Sequence, residues 1–376
     1  MKVCTKCGNP GTFHGDSRAT DGLKSQCKEC QNESRRRRRA DRLLAKTDPK
    51  LHDYEHGLIP EGYEIKGVTV RTSDGTYIKS QKAKEEKQDA NAAMLVALAE
   101  MMEPFKGSVD PVPAPEDVAK DLLLVLPIGD AHVGLRCHSD EVGEEFDLRI
   151  QEENHMAAVD GLVAASPEVA EGLIVNVGDY LHSDNRKGTT TKGTPLDTDG
   201  SRFSVLLIAL RMFRRTIDAA LLKCGHVTVI CATGNHDGES SVWLRLCLAL
   251  AYEREQRVTI RTEPTRFHYY QFGRCGFGVT HGDTCKVGDL PIIFATDAPS
   301  IWASTEHRAW LTGHVHHTQK KEMHGCTVNT YRTLAAQDEW HKGAGYRSGR
   351  DLHMELWHRE HGQIQEFIHG IRRRAA

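Results

Sequence analysis

Five times between residues 122 and 317 an apolar, strand-like run stops and delivers a side chain able to hold a metal ion, and this recurrence restricts the fold more than any other feature. Leu122 to Ile128 leads to Asp130 and His132, Leu173 to Val177 leads to Asp179, and Val227 to Ala232 leads to Asn235. Gly276 to Thr280 leads to His281, and Ala309 to Thr312 leads to His314 and His316. Apolar runs rich in β-branched residues that end near glycine read as buried strands, and helical stretches at 202–223 and 241–255 fall between them. Open α/β sheets place their ligand crevice beyond the carboxyl ends of the strands, so the pattern predicts an α/β (α+β) domain with these donors at one edge. Tyr269 to Phe272, Met354 to Trp357 and Gln363 to Ile368 supply further strands.

The seven side chains offer nitrogen and oxygen donors enough for two ions if one carboxylate is shared. A mixed imidazole and carboxylate set suits Mn first, with Fe or Zn next; Ca is disfavoured, and Mg is less favoured because of the histidines. The segment Gly234-Asn235-His236-Asp237 adds an imidazole that can be a ligand or a general acid, and a carboxylate that can orient it.

The N-terminus carries a second metal pattern. Cys4-x2-Cys7 and Cys27-x2-Cys30, 19 residues apart, suit a tetrahedral four-thiolate zinc site with a structural role, since four thiolates leave no open coordination position. The segment resembles the small zinc ribbons at the start of many phage-encoded nucleases. Arg35, Arg36, Arg37, Arg38 and Arg39 follow at once, a run suited to phosphate contact regardless of base sequence. Charge supports the division: residues 1–50 hold 13 Lys and Arg against 6 Asp and Glu in a chain whose net charge is −3. A basic appendage on an acidic body predicts an anionic partner, here nucleic acid.

Organisation follows from these signals. Residues 1–45 form the ribbon and its basic extension, and 46–104 an accessory segment with a hairpin (63–71 and 76–81, turning at 73–75) and a helix over 84–103. The Pro-rich stretch 105–118 reads as a linker, and 119–376 as the catalytic domain. The apolar stripe of the 84–103 helix leaves a homodimer contact open. No stretch has the roughly 20 apolar residues that span a bilayer, and the start lacks a signal-peptide pattern, so a cytoplasmic protein with no membrane partner is expected. Seven further cysteines without disulfide spacing agree with a reducing compartment.

Asp-x-His, Gly-Asp-x-x-His, Gly-Asn-His-Asp, His-Gly-Asp and Gly-His-x-His, in that order across residues 130–316, resemble the five signature blocks of the calcineurin-like metallophosphoesterases. The resemblance implies a four-layer αββα sandwich of two facing sheets. It also implies that Asp130, His132 and His316 hold one metal, Asn235, His281 and His314 the second, and that Asp179 bridges. His236 is then left to stabilise the transition state and protonate the leaving oxygen, with Asp237 orienting its ring. The block around Asp179 to Ser183 is similar to that of the DNA double-strand-break repair exonucleases, which implies that His182 contacts the scissile phosphate. The chain is therefore expected to be a dinuclear phosphodiester hydrolase, a DNA exo- or endonuclease, similar to phage-encoded members of that family and, if phage-encoded, working in the host cytoplasm. The alternatives are a phosphatase or phosphodiesterase on nucleotides or phosphoproteins, and a nucleic-acid-binding scaffold with an inactive site. Arg186, Lys187 and Lys192 lie in a polar loop that could touch substrate phosphate, and no role is read for residues 337–346.

Overall fold

The computed structural model describes residues 2–8, 10, 12–15, 23–35, 68–71, 77–80 and 107–371. The chain divides into two compact units, Met1–Leu95 and Val96–Ala376. In the first, strands β1 (Phe13–Gly15) and β2 (Leu23–Cys27) pair antiparallel, and residues 28–35 are helical. Strands β3 (Val68–Arg71) and β4 (Tyr77–Ser80) form a second antiparallel pair, Val68 opposite Ser80 and Arg71 opposite Tyr77, within the expected hairpin. The expected turn at 73–75, the helix over 84–103 and Arg36 to Arg39 lie outside the described residues.

The second unit holds two sheets. In one, β5 (Ala119–Ile128), β6 (Val169–Asn176), β7 (Cys224–Cys231) and β8 (Val258–Ile260) run parallel. In the other, β9 (His268–Phe272) lies antiparallel to β10 (Cys275–Val279), which runs parallel to β11 (His307–Thr312). The hairpin β12 (Gln319–Met323) and β13 (Cys326–Thr330) extends this second sheet, β13 pairing parallel with β11. Strands β14 (Asp351–His358) and β15 (Gly362–Gly370) return antiparallel to the first sheet beside β5. The orders are β15-β14-β5-β6-β7-β8 and β12-β13-β11-β10-β9.

Alternation along the strands builds the core. Leu123 and Val125 of β5 join Leu173, Val175, Ile230, Phe277, Val279 and Leu311 in one cluster fed by both sheets. Their neighbours Leu124, Leu126 and Ile128 turn the other way, as the two-residue period of a strand requires. They meet Met156 and Val159 of helix α1 (Leu148–Ala165), Phe213 and Ile217 of α2 (Arg202–Leu221) and Leu248 of α3 (Ser240–Ala251). Trp310 and Val328 of the second sheet pack instead on Leu290 and Phe294 of α4 (Leu290–Asp297). Residues 107–118, expected as a linker, lie along this unit: the Gly107 amide donates to the Leu250 carbonyl at 2.9 Å, and Arg257 donates to the Val112 carbonyl at 2.6 Å. No described helix is long and apolar enough to cross a membrane.

Because β5, β6 and β7 are parallel in one sheet, and β10 and β11 in the other, their carboxyl ends can deliver side chains to a common crevice. The seven expected donors lie two to four residues beyond those ends.

Candidate metal centre

The backbone bends sharply where β5, β6 and β11 release their donors. Among the described residues, the non-glycine positions with positive φ are Asp130 (27°), His132 (47°), Asp179 (50°), His314 (68°) and His316 (54°). An L-residue there costs on the order of 1–3 kcal/mol, which surrounding contacts must offset. At Asp130 one such contact is visible: its carboxylate accepts from the His314 amide at 2.9 and 3.0 Å, tying the end of β5 to the end of β11.

Two donor groups result. Asp130, His132 and His316 form one, and Asp179, His281 and His314 the other, the ligand-capable atoms within each lying no more than 4.8 Å apart. In the first, His132 Nε2 faces His316 Nε2 at 3.1 Å, and His316 Nε2 lies 3.5 Å from Asp130 Oδ1. In the second, His281 Nδ1–H donates to the Val177 carbonyl at 3.0 Å, which leaves Nε2 directed at Asn235 Oδ1 (3.1 Å) and Asp179 Oδ2 (3.2 Å). Ligands at right angles on bonds of about 2.1 Å stand about 3.0 Å apart, so these spacings are those of adjacent ligands around an ion.

The electrostatics also call for cations. Asp130 and Asp179 are 0% and 2% exposed, and their described ion-pair partners are histidines. Buried carboxylates without such compensation are costly. Burial alone would pull His281 down, but the Asp179 carboxylate outweighs that and raises it to about 10, a sign of how strongly the buried carboxylates favour positive charge at the position that Nε2 faces. His132 is held well below its usual value, by burial first and by His236 and His316 next, which keeps its ring in the neutral, ligating form.

Three further residues surround these groups. His182 is buried, with Nδ1 3.3 Å from Nδ1 of His132. With His132 and His236 it forms a further cluster whose ring nitrogens lie within 4.8 Å of one another, its own ring stacked on that of His236 at 5.5 Å. His236 donates its backbone amide to Asp179 Oδ1 at 2.7 Å and its Nδ1–H to the His182 carbonyl at 2.8 Å. That second bond corrects the expectation for Asp237: a carbonyl, not the carboxylate, orients the His236 ring. Asp237, fully buried, accepts instead from the amides of Gly234 (3.0 Å), Tyr180 (2.8 Å) and Leu181 (3.3 Å). It joins the loop after β6 to the loop after β7, because a buried carboxylate at a tight turn is satisfied by the backbone amides around it, while the His236 ring packs on His132 and His182.

Sequence reasoning gave no role to the segment after β13, where the structure places a further histidine against the centre. The ring of His341 stacks on His316, centroids 4.6 Å apart at 18°, and its Nδ1 bonds Asp338 Oδ1 at 2.6 Å. Arg186, Lys187 and Lys192 are exposed on a loop that packs over residues 235–240 through Thr191 and Asp184.

In the first unit, Cys4, Cys7, Cys27 and Cys30 bring their sulfurs within 4.8 Å of one another. Cys7 and Cys27 are 4.0 Å apart, near the roughly 3.8 Å edge of a tetrahedron with Zn–S bonds of about 2.3 Å. The Cys27 amide donates to Cys4 Sγ at 3.2 Å and lowers that thiol to about 6, favouring the thiolate a zinc ion binds. The cluster fits a structural zinc, and the two His/Asp groups fit divalent metals.

No family model matches the chain, and no curated protein matches it. Among solved structures it is similar to Vps29 from Entamoeba histolytica complexed with Zn2+, at 13% identity over 66% of this chain and 98% of that one, with a TM-score of 0.27. It is also similar to an uncharacterized phosphoesterase-type protein from Streptococcus pneumoniae (10% identity, 67% of this chain, 100% of that one, TM-score 0.27). A third is a 5'-nucleotidase precursor from Thermus thermophilus (10% identity, 67% of this chain, 54% of that one, TM-score 0.32).

Proposed function

We propose that the chain is a dinuclear-metal-dependent phosphodiester hydrolase that acts on nucleic acid, as a DNA exo- or endonuclease. The observation that carries this reading is the pair of donor groups set at the strand ends, each built on a buried carboxylate whose described ion-pair partners are histidines. Asp130, His132 and His316 would hold one ion and Asn235, His281 and His314 the other, with Asp179 shared, in a metallophosphoesterase sandwich of four layers. Mn2+ suits this mixed donor set. Two divalent cations bound there supply the Lewis acidity that makes water nucleophilic at neutral pH and offsets phosphoryl charge.

The remaining work falls to the chain. His182 fixes the ring of His132 through its second nitrogen, in the way partners of ligating histidines do. His236, its Nδ1–H committed to a carbonyl, would give the Nε2 proton of its imidazolium form to the leaving oxygen and be left as the neutral Nδ1–H ring. Asp237 holds the two loops that carry Asp179 and Asn235 at fixed separation. The four-cysteine cluster and the arginine run beginning at Arg35 support nucleic acid as substrate, since such runs bind phosphate without reading sequence.

The test is a Mn2+-dependent assay on end-labelled single-stranded, double-stranded and circular DNA, beside bis-p-nitrophenyl phosphate and a phosphomonoester. DNA cleavage that weakens with salt and on deletion of residues 1–45 is expected. Cleavage indifferent to that deletion, or small diesters hydrolysed as well as polynucleotides, overturns the nuclease reading in favour of a phosphatase or nucleotide phosphodiesterase.

A further inference from the structure

The segment after β13 ends in a short helix, α5 (Glu339–Gly343), whose first turn is capped by Asp338: its Oδ1 accepts from the His341 amide at 2.8 Å. This cap turns His341 inward onto His316, and it leaves the preceding residue outside. Trp340 is 67% exposed, an unusual position for an indole unless something covers it. It is not isolated. Its ring meets His341 edge-on at 4.9 Å and 87°, and Tyr346 lies beside it at 5.9 Å and 27°, nearly parallel. The Tyr346 amide donates to the His341 carbonyl at 3.0 Å, fixing that companion ring. An ordered aromatic surface thus stands two ring contacts away from a donor of the candidate metal centre. A cleft lined by His316, Thr333, Gln337, His341, Tyr346 and Ser348 adjoins it. Lys342 and Arg347 flank the rings, with hydrogen bonds to the carbonyls of Glu141, Lys342 and Tyr346.

We infer that Trp340, backed by Tyr346, is a stacking platform for a nucleobase adjoining the phosphodiester held at the metal centre. This rests on the nucleic-acid reading given above and adds a specificity-determining surface to it. The chemistry favours a base over other occupants. Each base has a π-face that an exposed, braced indole can cover irrespective of sequence, and flanking cations meet the phosphates on either side. An ordinary apolar patch would lack both the parallel second ring and the link through His341 to a metal donor.

Two readouts test it on the full-length protein. The first compares Mn2+-loaded wild type, Trp340→Ala and Trp340→Phe on thymidine 5'-p-nitrophenyl phosphate and methyl p-nitrophenyl phosphate, which share a leaving group and differ in the nucleoside. Trp340→Ala should raise KM for the nucleoside ester about tenfold, the low end of what one lost base stack costs, with kcat within about twofold. Trp340→Phe should recover most of the loss, and the methyl ester should respond to neither variant. Equal effects on both esters, or none on either, overturn the platform. The second readout is tryptophan fluorescence of the metal-loaded His236→Ala protein, with Trp340 minus with Trp340→Phe, on adding an oligothymidylate or an abasic oligomer of equal length and charge. Quenching by the first alone supports stacking, and it does so even if no ester is hydrolysed, in which case hydrolysis is the reading that fails. Absence of quenching, or equal quenching by both oligomers, overturns the inference.

Discussion

At Gly234 a methyl group would collide with the carboxylate and amide of Asp179, and at Gly313 another would collide with the Asp130 carboxylate. Both glycines precede a candidate metal donor, and each is small because an acidic side chain from another strand end crosses directly over it. Gly234→Ala is therefore expected to reduce divalent metal bound at the centre, and Mn2+-dependent hydrolysis at least about 100-fold, because displacements near 1 Å carry costs of that size. Metal analysis beside activity checks it, and zinc at the four cysteines should stay. His236→Ala should behave differently, lowering kcat about 100-fold or more with metal content unchanged, as expected for loss of a proton donor. The seven donors were legible as residue types after strands. What a residue list does not show is which ring nitrogen is committed elsewhere: His281 Nδ1 to Val177 and His236 Nδ1 to His182.

Elements were legible where the hydrophobic pattern was strong and invisible where the environment supplied the reason for the element. β5, β6 and β7 are buried apolar runs, and they extend a few residues beyond the expected cores because pairing continues after hydrophobicity stops. β12 reads Gln-Lys-Lys-Glu-Met and is almost wholly exposed, an edge strand whose lysines protect it from further pairing. Only its partner β13 makes it a strand. Helix α1 begins at an Asp147 cap, whose side chain accepts from the Ile150 amide at 2.7 Å, and supplies part of the crossover between parallel strands β5 and β6. Asp237 acts at this scale as well, since its three amide bonds hold two loops together. Asp237→Ala should cost about 3 kcal/mol of stability, given that bonds to a buried carboxylate are worth more than neutral ones, and should release those loops to faster amide exchange at Tyr180 and Leu181. Denaturant titration and hydrogen exchange measure both. Unchanged exchange at these two amides would contradict the pinning role.

Across the whole domain, two histidines far from the centre should shape stability against pH. His155, between α1 and α2, donates from Nε2 to Thr216 Oγ1 at 2.9 Å, the hydroxyl itself donating to the Met212 carbonyl, and burial lowers the imidazole to about 4. Below the ordinary value of about 6.5 the unfolded chain takes up a proton that the folded one refuses, so this contribution is present above pH 6.5 and is lost as pH falls toward 4. His353 is the reverse. Burial lowers it, but bonds to Asp351 (3.0 Å) and Glu366 (2.7 Å) outweigh that and raise it to about 9. Its contribution is present below pH 6.5 and is lost as pH rises through 9. Each shift amounts to about 3 kcal/mol at 1.36 kcal/mol per unit. Urea midpoints should therefore peak near pH 6.5, with His155→Gln flattening the acid limb and His353→Gln the alkaline limb. The sequence by itself determined the alternation of strand and helix, the donors at the strand ends and the four-cysteine spacing, because these depend on local periodicity and on residue chemistry. Only the tertiary structure decided that Asp237 serves backbone amides, that His182 backs His132 and that Trp340 stands exposed beside His341 and His316. Those relations join residues as far as 57 positions apart, and a hydrogen bond's partner is set by which neighbour the packing brings nearest.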